Sequence, residues 1–168
     1  LMGYYNPIYK FGKKNFVNKC LDIGVDGLII VDLPPEEDEE FYVEAEKNKL
    51  SIIRLVTPTT DEKRLNKILF NATGFVYYVS ITGITGTQAP NIENVSINLA
   101  KIKSVTDLPV VIGFGIRSPS QASSMANISD GIVVGSAVVD LIKSSLDNED
   151  NPTKQTLNSC LDFISKVS

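Results

Sequence analysis

The feature that most constrains the fold of this 168-residue chain is a repeated alternation of short β-rich runs with longer stretches of helical spacing. The β-rich runs occupy residues 1–5, 27–32, 51–57, 74–80, 109–114 and 131–134. Strands that alternate with helices in this way predict a parallel sheet in an α/β fold. Consecutive apolar residues, as at 28–31 and 110–112, are typical of strands buried on both faces. No domain boundary is visible, so we expect one domain over residues 1–168.

Local signals predict where several helices begin. Acidic residues follow the prolines at 34–35 and occur again at 61–62, and Ser118 with Pro119 places a proline in a first helical turn. The segment 144–156 is rich in Asp, Asn and Ser, which predicts a solvated loop before a final amphipathic helix over residues 156–167. The residues at the predicted helix starts and the hydrophobic spacing that follows them therefore indicate the same helices.

Glycines follow three of the predicted strands, in the segments 80–86 (SITGITG), 113–115 (GFG) and 135–136 (GS). A glycine just past a buried strand lets backbone N–H groups approach a ligand with no Cβ in the way. Taken singly, each glycine could simply end its strand. Taken together on neighbouring strands, they predict a site for one anion, which we expect to be a phosphate.

Two parallel-sheet architectures fit this order of elements, a doubly wound sheet and a closed (β/α)8 barrel. A doubly wound nucleotide-binding fold carries its glycine fingerprint after the first strand, and none follows residues 1–5. Barrels often bind phosphate with the loops after strands 7 and 8, which resembles the glycines after the last three strands here. Six strands do not close an eight-stranded barrel, so we expect an incomplete (β/α)8 TIM barrel containing strands 3 to 8, with the two N-terminal βα units absent.

Charge and composition argue against several classes of function. The chain has 20 acidic and 16 basic residues, a formal net charge of −4 and an isoelectric point of about 4.9. Nucleic acid and anionic membranes favour a basic face, so neither is an expected partner. No apolar run approaches the roughly 20 residues of a membrane span. Cys20 and Cys160 lie far apart in helical patterns and are expected to be reduced, which favours the cytoplasm.

Short motifs occur in a fixed order along the chain, at residues 1–7 (LMGYYNP), 24–27 (GVDG), 31–34 (VDLP), 57–60 (TPTT), 77–86 (YYVSITGITG), 113–116 (GFGI) and 135–137 (GSA). In this order and spacing the whole chain resembles the alpha subunit of tryptophan synthase. The resemblance implies a barrel lyase of tryptophan biosynthesis that cleaves indole-3-glycerol phosphate to indole and glyceraldehyde 3-phosphate. It also implies an alpha2-beta2 heterotetramer, in which a beta subunit receives the indole, and no cofactor or metal ion.

Retro-aldol cleavage needs a base for the side-chain hydroxyl, an acid for the indole ring carbon and an acceptor for the indole N–H. In the family, a Glu on barrel strand 2 performs the proton transfers and an Asp in the following loop holds the nitrogen. Both positions would precede Leu1, and the chain contains no His. We therefore assign no catalytic residue to this chain and expect it to be inactive alone.

The resemblance assigns the binding half of the site to this chain. Backbone N–H groups of four residues would hold the substrate phosphate, namely Gly86, Gly115, Gly135 and Ser136. Tyr77 and Phe114 would flank the indole and glycerol moieties, and Thr85 belongs to a loop that closes over substrate. Further side chains would either line this pocket or fill a barrel core: Met2, Tyr4, Ile29, Val31 and Leu55.

Polar residues after the first two strands are assigned supporting or interface roles. Asp32 follows a strand at its carboxyl end, where barrel enzymes place catalytic groups, but we expect it to support the site rather than transfer protons. The loop 6–11, which begins at Asn6, is expected to face the beta subunit, because indole must leave from the mouth of the barrel. Within it, Pro7 and Ile8 suit an interface.

Two other functions stay open. One is another phosphate-binding barrel enzyme, such as an isomerase or the synthase that makes indole-3-glycerol phosphate. That synthase would be expected to carry a catalytic Lys at a strand end, and the predicted strand ends show none. The other is a noncatalytic module that binds a phosphate ligand and activates a partner subunit. A strand and loop bearing Glu and Asp, encoded upstream of Leu1, would favour the lyase.

Overall fold

The sheet is built from short parallel strands, each followed by at least one helix. A computed structural model of the chain describes residues 1–80, 91–113 and 115–167. The strands in this part are β1 (Met2–Gly3), β2 (Gly27–Ile30), β3 (Ser51–Val56), β4 (Val76–Val79), β5 (Val110–Gly113) and β6 (Gly131–Val133). The α-helices are α1 (Tyr5–Phe11), α2 (Lys13–Asp22), α3 (Glu39–Lys47), α4 (Glu62–Leu69), α5 (Ile92–Lys103), α6 (Pro119–Ala126), α7 (Ser136–Ser144) and α8 (Lys154–Val167). A 3₁₀ turn, Pro35–Glu37, precedes α3.

Helices pack against one face of this sheet. Side chains alternate between the two faces of a strand, and those of Leu28, Ile52, Tyr78 and Ile112 point toward the helices. Buried residues form one cluster beneath α1 to α3 and a second beneath α4 to α6. The helix-facing side of the sheet is therefore the core of the described structure.

The opposite face, which we call the open face, is covered much less. It carries Met2, Ile29, Leu55, Tyr77 and Val111, which share one side of the sheet by register. Burial on both faces, predicted from the apolar runs, is wrong for the first strands, since Met2 is 50% exposed and Ile29 and Leu55 are half-buried. The reason is that both core clusters lie on the helix side.

The order of the strands across the sheet distinguishes between the two predicted architectures. All pairings are parallel, and the order β1-β2-β3-β4-β5-β6 follows the chain. A doubly wound sheet reverses its strand order and carries helices on both faces, whereas a (β/α)8 barrel keeps the sequence order with its helices outside. The incomplete barrel is confirmed, with β1 and β6 at the edges of the sheet.

The first βα unit differs from its prediction. The expected strand over residues 1–5 is only Met2–Gly3, and the expected loop 6–11 is the helix α1. Ile8 is buried in the core rather than available to an interface. Two other predicted helix starts are confirmed, because Asp61 accepts a hydrogen bond from the Arg64 N–H and Ser118 caps α6 in the same way. The start predicted after the prolines at 34–35 is a 3₁₀ turn, and the α-helix begins only at Glu39.

Candidate functional site

Predicted wall residues from four strands lie together on the open face. Met2 lies opposite Ile29 in the β1–β2 register, and Leu55 lies opposite Tyr77 in the β3–β4 register. Ile29 is also opposite Ile53, which is two residues before Leu55 and on the same face. The fold therefore brings these predicted residues to one surface.

This surface is open rather than filled. Tyr4 and Val31 follow the ends of β1 and β2, and both are exposed, as is Met2. Ile29 and Leu55 are half-buried. In this structure these side chains form an apolar wall that is exposed at Met2, Tyr4 and Val31 and half-buried at Ile29 and Leu55.

Tyr77 lies across Gly113 of the neighbouring strand. A Cβ built on Gly113 would be 1.9 Å from the Tyr77 hydroxyl oxygen and 2.1 Å from the ring carbon that bears it. Ser80 donates to the Gly113 carbonyl from its hydroxyl at 2.9 Å and from its backbone N–H at 3.1 Å. Burial raises the pKa of Tyr77, so its phenol stays protonated at neutral pH. The Tyr77 ring can therefore lie against the α-carbon of Gly113 because Gly113 has no side chain.

Two of the predicted phosphate-binding glycines lie at turns after β5 and β6. Gly115 has a φ of +81°, in the left-handed region that favours glycine. Gly135 precedes α7, supplies no side-chain cap, and accepts hydrogen bonds from the Val138 and Val139 N–H groups. Ser136 is exposed as the first residue of α7. The first N–H groups of a helix have no intrahelical acceptor, so this turn can present donors to an anion.

Three of the predicted site residues, Thr85, Gly86 and Phe114, lie outside the described residues. Within residues 1–80, 91–113 and 115–167, no helix has the length and apolar character needed to cross a membrane. In the same part of the chain, no group of three His, Cys, Asp or Glu residues is arranged to hold a metal ion.

Asp32 makes a long-range contact that the sequence did not reveal. Its Oδ1 accepts the Tyr5 N–H at 2.7 Å. Tyr4, the residue before α1, supplies no side-chain cap, so the Asp32 carboxylate satisfies a free N–H at the start of that helix. Asn6 is exposed in the same first turn. The bonded residues are 27 positions apart, and no local pattern indicates such a pair.

A buried ion pair between Asp38 and Arg54 was also missed. Arg54 Nη1 lies 2.6 Å from Asp38 Oδ2, and the two side chains are 5% and 2% exposed. Burial raises the pKa of Asp38, while the neighbouring guanidinium opposes that shift. Among the described residues, Arg54 Nε, Arg54 Nη2 and Asp38 Oδ2 have no hydrogen-bond partner, so the pair is an ionic contact. The available signal was a lone Arg within the apolar strand β3.

The chain is similar to proteins of one family. A family model for the tryptophan synthase alpha chain matches residues 1–167. The alpha subunit from Legionella pneumophila superimposes with a TM-score of 0.85 and 33% identity, covering 99% of this chain and 60% of that one. The alpha subunit from Campylobacter jejuni gives a TM-score of 0.84 and 31% identity, with coverages of 99% and 63%. A structure of the tryptophan synthase α2β2 complex from Pyrococcus furiosus superimposes with a TM-score of 0.83 and 32% identity, covering 99% of this chain and 65% of that one. The chain thus spans between 60% and 65% of these relatives.

Proposed function

This chain belongs to the tryptophan synthase alpha chain family, and from that premise we propose that it is the substrate-binding part of a carbon–carbon lyase acting on indole-3-glycerol phosphate. One observation carries the proposal. An apolar wall on the open face and the glycine turns at Gly115 and Gly135 belong to the same sheet, and the turns follow the carboxyl ends of its strands. The substrate likewise has an apolar ring at one end and a phosphate at the other.

The phosphate is proposed to bind at the turns after β5 and β6. Gly115, Gly135 and Ser136 would contribute backbone N–H groups, together with Gly86 from the preceding loop. The N-terminus of α7 favours negative charge through its free N–H groups and its dipole. Apart from its chain neighbours, no atom of the described residues lies within 4 Å of a Cβ built on Gly135, which leaves room for a ligand.

The indole ring is proposed to lie against the open face. Tyr77 and Leu55, opposite each other in register, would form the wall together with Ile29. Phe114 would complete the contact, and the loop that contains Thr85 would close over the bound substrate. A protonated Tyr77 phenol adds no charge to this wall at neutral pH.

The proton-transfer groups are proposed to come from βα units that close the barrel between β6 and β1. Each of these edge strands has a strand neighbour on one side only within the described residues. Helix α8, which packs against α6 and α7, exposes a row of apolar residues, the α8 stripe, which consists of Leu157, Leu161 and Ile164. Added strands and helices would cover both features, which supports a closed barrel.

The proposed partner is a tryptophan synthase beta subunit, in an alpha2-beta2 assembly in the cytoplasm. Helix α1 follows the carboxyl end of β1, at the mouth of the proposed pocket. It exposes Asn6, Tyr9 and Phe11, and exposed aromatic residues suit a protein interface. This helix replaces the predicted loop as the proposed contact, without the buried Ile8.

Complementation tests the proposal. The chain alone, and the chain mixed with a fragment of a relative carrying barrel strands 1 and 2, are assayed for release of glyceraldehyde 3-phosphate from indole-3-glycerol phosphate. We expect turnover in the mixture alone, since positioned acid–base groups contribute typically about 10²- to 10⁴-fold each. Phosphate binding without turnover in an assembled mixture would favour the noncatalytic module. Turnover by the chain alone, lost in Asp32→Asn, would make Asp32 the catalytic acid–base.

A further inference from the structure

The segment that joins β2 to α3, residues 32–38, is tied to other elements by its side chains. At its start, Asp32 accepts the Tyr5 N–H of α1 at 2.7 Å. In its middle, Glu36 forms a half-exposed ion pair with Arg64 of α4. We call residues 32–38 the β2–α3 segment. It links the start of α1 to elements further along the sheet.

The end of this segment is held by the buried pair of Asp38 with Arg54 of β3. Asp38 directly precedes α3, a position where Asp ordinarily caps the helix, yet its side chain makes no capping bond. The carboxylate lies instead beside Arg54 Nη1. Desolvating both charges is so unfavourable that apolar replacements of buried pairs are often equally stable. Stability alone therefore explains this pair poorly, whereas a specific ionic contact that joins a segment to a strand explains it well.

Other forces hold the β2–α3 segment weakly near this point. The β2–β3 register ends at Ile29 and Ile53, so β2 does not pair with β3 beside Arg54, where β3 is paired with Val76 of β4. A cavity of 250 Å³ also borders the segment, lined on that side by Asp32, Leu33, Pro34 and Pro35. A side chain that borders empty space has fewer packing contacts to fix its position. Leu33 packs against the core cluster beneath α1 to α3 and so holds the start of the segment, while the buried ion pair is the contact that holds its end.

We propose that Asp38 and Arg54 are a positioning pair that fixes the β2–α3 segment on β3 and, through Asp32, sets the start of α1. The pair touches no substrate. In the proposed lyase it would control the helix that faces the beta subunit, and that consequence rests on the proposed function. The effect of the pair on the position of α1 does not depend on the proposed function.

Amide hydrogen exchange of the full chain tests this directly. The double variant Asp38→Leu/Arg54→Met replaces the pair with apolar side chains. We expect the Tyr5 amide to exchange about five- to tenfold faster, the equivalent of one lost hydrogen bond, while the Ile112 amide in β5 is unchanged. Asp32→Ala should give the same result at Tyr5, and Asp32→Asn, which keeps an acceptor oxygen, should retain most of the protection.

Glu36→Ala is the matched control, because it removes the half-exposed ion pair of the same segment and should leave Tyr5 exchange nearly unchanged. An unchanged Tyr5 amide in the double variant overturns the proposal, and so does equal acceleration at Tyr5 and Ile112. If the double variant does not fold, Arg54→Lys, which keeps a positive charge but removes the Nη1 atom that contacts Asp38, must accelerate Tyr5 selectively, and otherwise the proposal fails. Selective acceleration at Tyr5, together with no turnover when the chain is complemented by barrel strands 1 and 2, would reject the proposed function and keep the positioning pair.

Discussion

The Tyr77 hydroxyl and the α-carbon of Gly113 are so close that no side chain fits between them, since a Cβ on Gly113 would lie 1.9 Å from the hydroxyl oxygen. Tyr77 belongs to the apolar wall, and Gly113 ends the strand that leads to the Gly115 turn. The wall and the turn are therefore coupled by direct contact. A change at Gly113 must move the ring, the strand or both.

Gly113→Ala should destabilise the chain by about 1 to 3 kcal/mol, because the added methyl overpacks against the Tyr77 ring. In a Tyr77→Val background the same substitution should lose most of that effect, since the ring it meets is gone. Urea unfolding of the double-mutant cycle measures the coupling. Gly135→Ala is the control, because a Cβ there meets no atom within 4 Å in the part of the chain that the structure describes, its chain neighbours aside. If Gly113→Ala lowers the free energy of unfolding equally with and without the Tyr77 ring, the proposed contact between the two residues is contradicted.

Gly115→Ala should weaken phosphate binding in the complemented protein by about tenfold, because the turn must shift and charge-assisted N–H contacts are worth about 1.5 to 3 kcal/mol each. The matched control is Gly24→Ala. Gly24 has a φ of +75°, close to the +81° of Gly115, so both substitutions carry similar backbone strain. Inhibition by inorganic phosphate and the KM for indole-3-glycerol phosphate are the measurements. If both variants bind phosphate equally well, Gly115 is not part of the site.

Asp130 should contribute stability that is lost in acid. Hydrogen bonds from the Val110 N–H and from Lys103 hold the pKa of Asp130 below its ordinary value. A lowered folded-state pKa means that this contribution is complete above the unfolded pKa of about 3.9 and disappears as pH falls through the folded value. Asp130→Ala should therefore lower the free energy of unfolding by about 1 kcal/mol at neutral pH. The free energy of unfolding of this variant should also fall less steeply as the pH is lowered.

Urea unfolding at a series of pH values measures this effect, and the partial exposure of the Asp130–Lys103 pair keeps its electrostatic share small. Asp107→Asn removes an exposed carboxylate that lines the same surface cleft and serves as the control. An acid dependence identical in Asp130→Ala and the unaltered chain would show that the hydrogen bonds contribute nothing.

The α8 stripe should drive association of the isolated chain, since contiguous exposed apolar side chains promote contact between molecules. Leu161→Gln should reduce concentration-dependent association and the binding of hydrophobic dyes, with a change in stability within about 0.5 kcal/mol. Ile97→Gln is the control, because Ile97 of α5 is about as exposed as Leu161, at 51% against 54%, and lies outside the stripe. Analytical ultracentrifugation separates the two cases. If both variants reduce association equally, the α8 stripe is not what drives association of the chain.

Local parts of the fold were predictable because their causes act over a few residues. Apolar runs located all six strands in order, and Asp61 and Ser118 marked the starts of α4 and α6 by capping N–H groups three residues on. The first strand was predicted too long. A helix begins at Tyr5 instead, where Asp32 from the β2–α3 segment accepts the Tyr5 N–H.

The sequence predicted which residues belong to the candidate site, but not what surrounds their side chains. The motifs indicated Met2, Ile29, Leu55 and Tyr77, and strand register places them on one face. Whether those side chains fill a core or form an exposed wall depends on what lies over them. No pattern within the strands carries that information.

The sequence alone was enough to predict the strand–helix alternation, the caps at Asp61 and Ser118 and the glycine turns, since each follows from the preferences of neighbouring residues. Packing of the whole chain was needed to show which sheet face is covered, that Ile8 is core, that Asp32 caps α1, and that Asp38 meets Arg54 instead of capping α3. These outcomes depend on residues that are distant in the chain and adjacent in space. Burial, ion pairing and capping between separate elements exist only once the chain has packed.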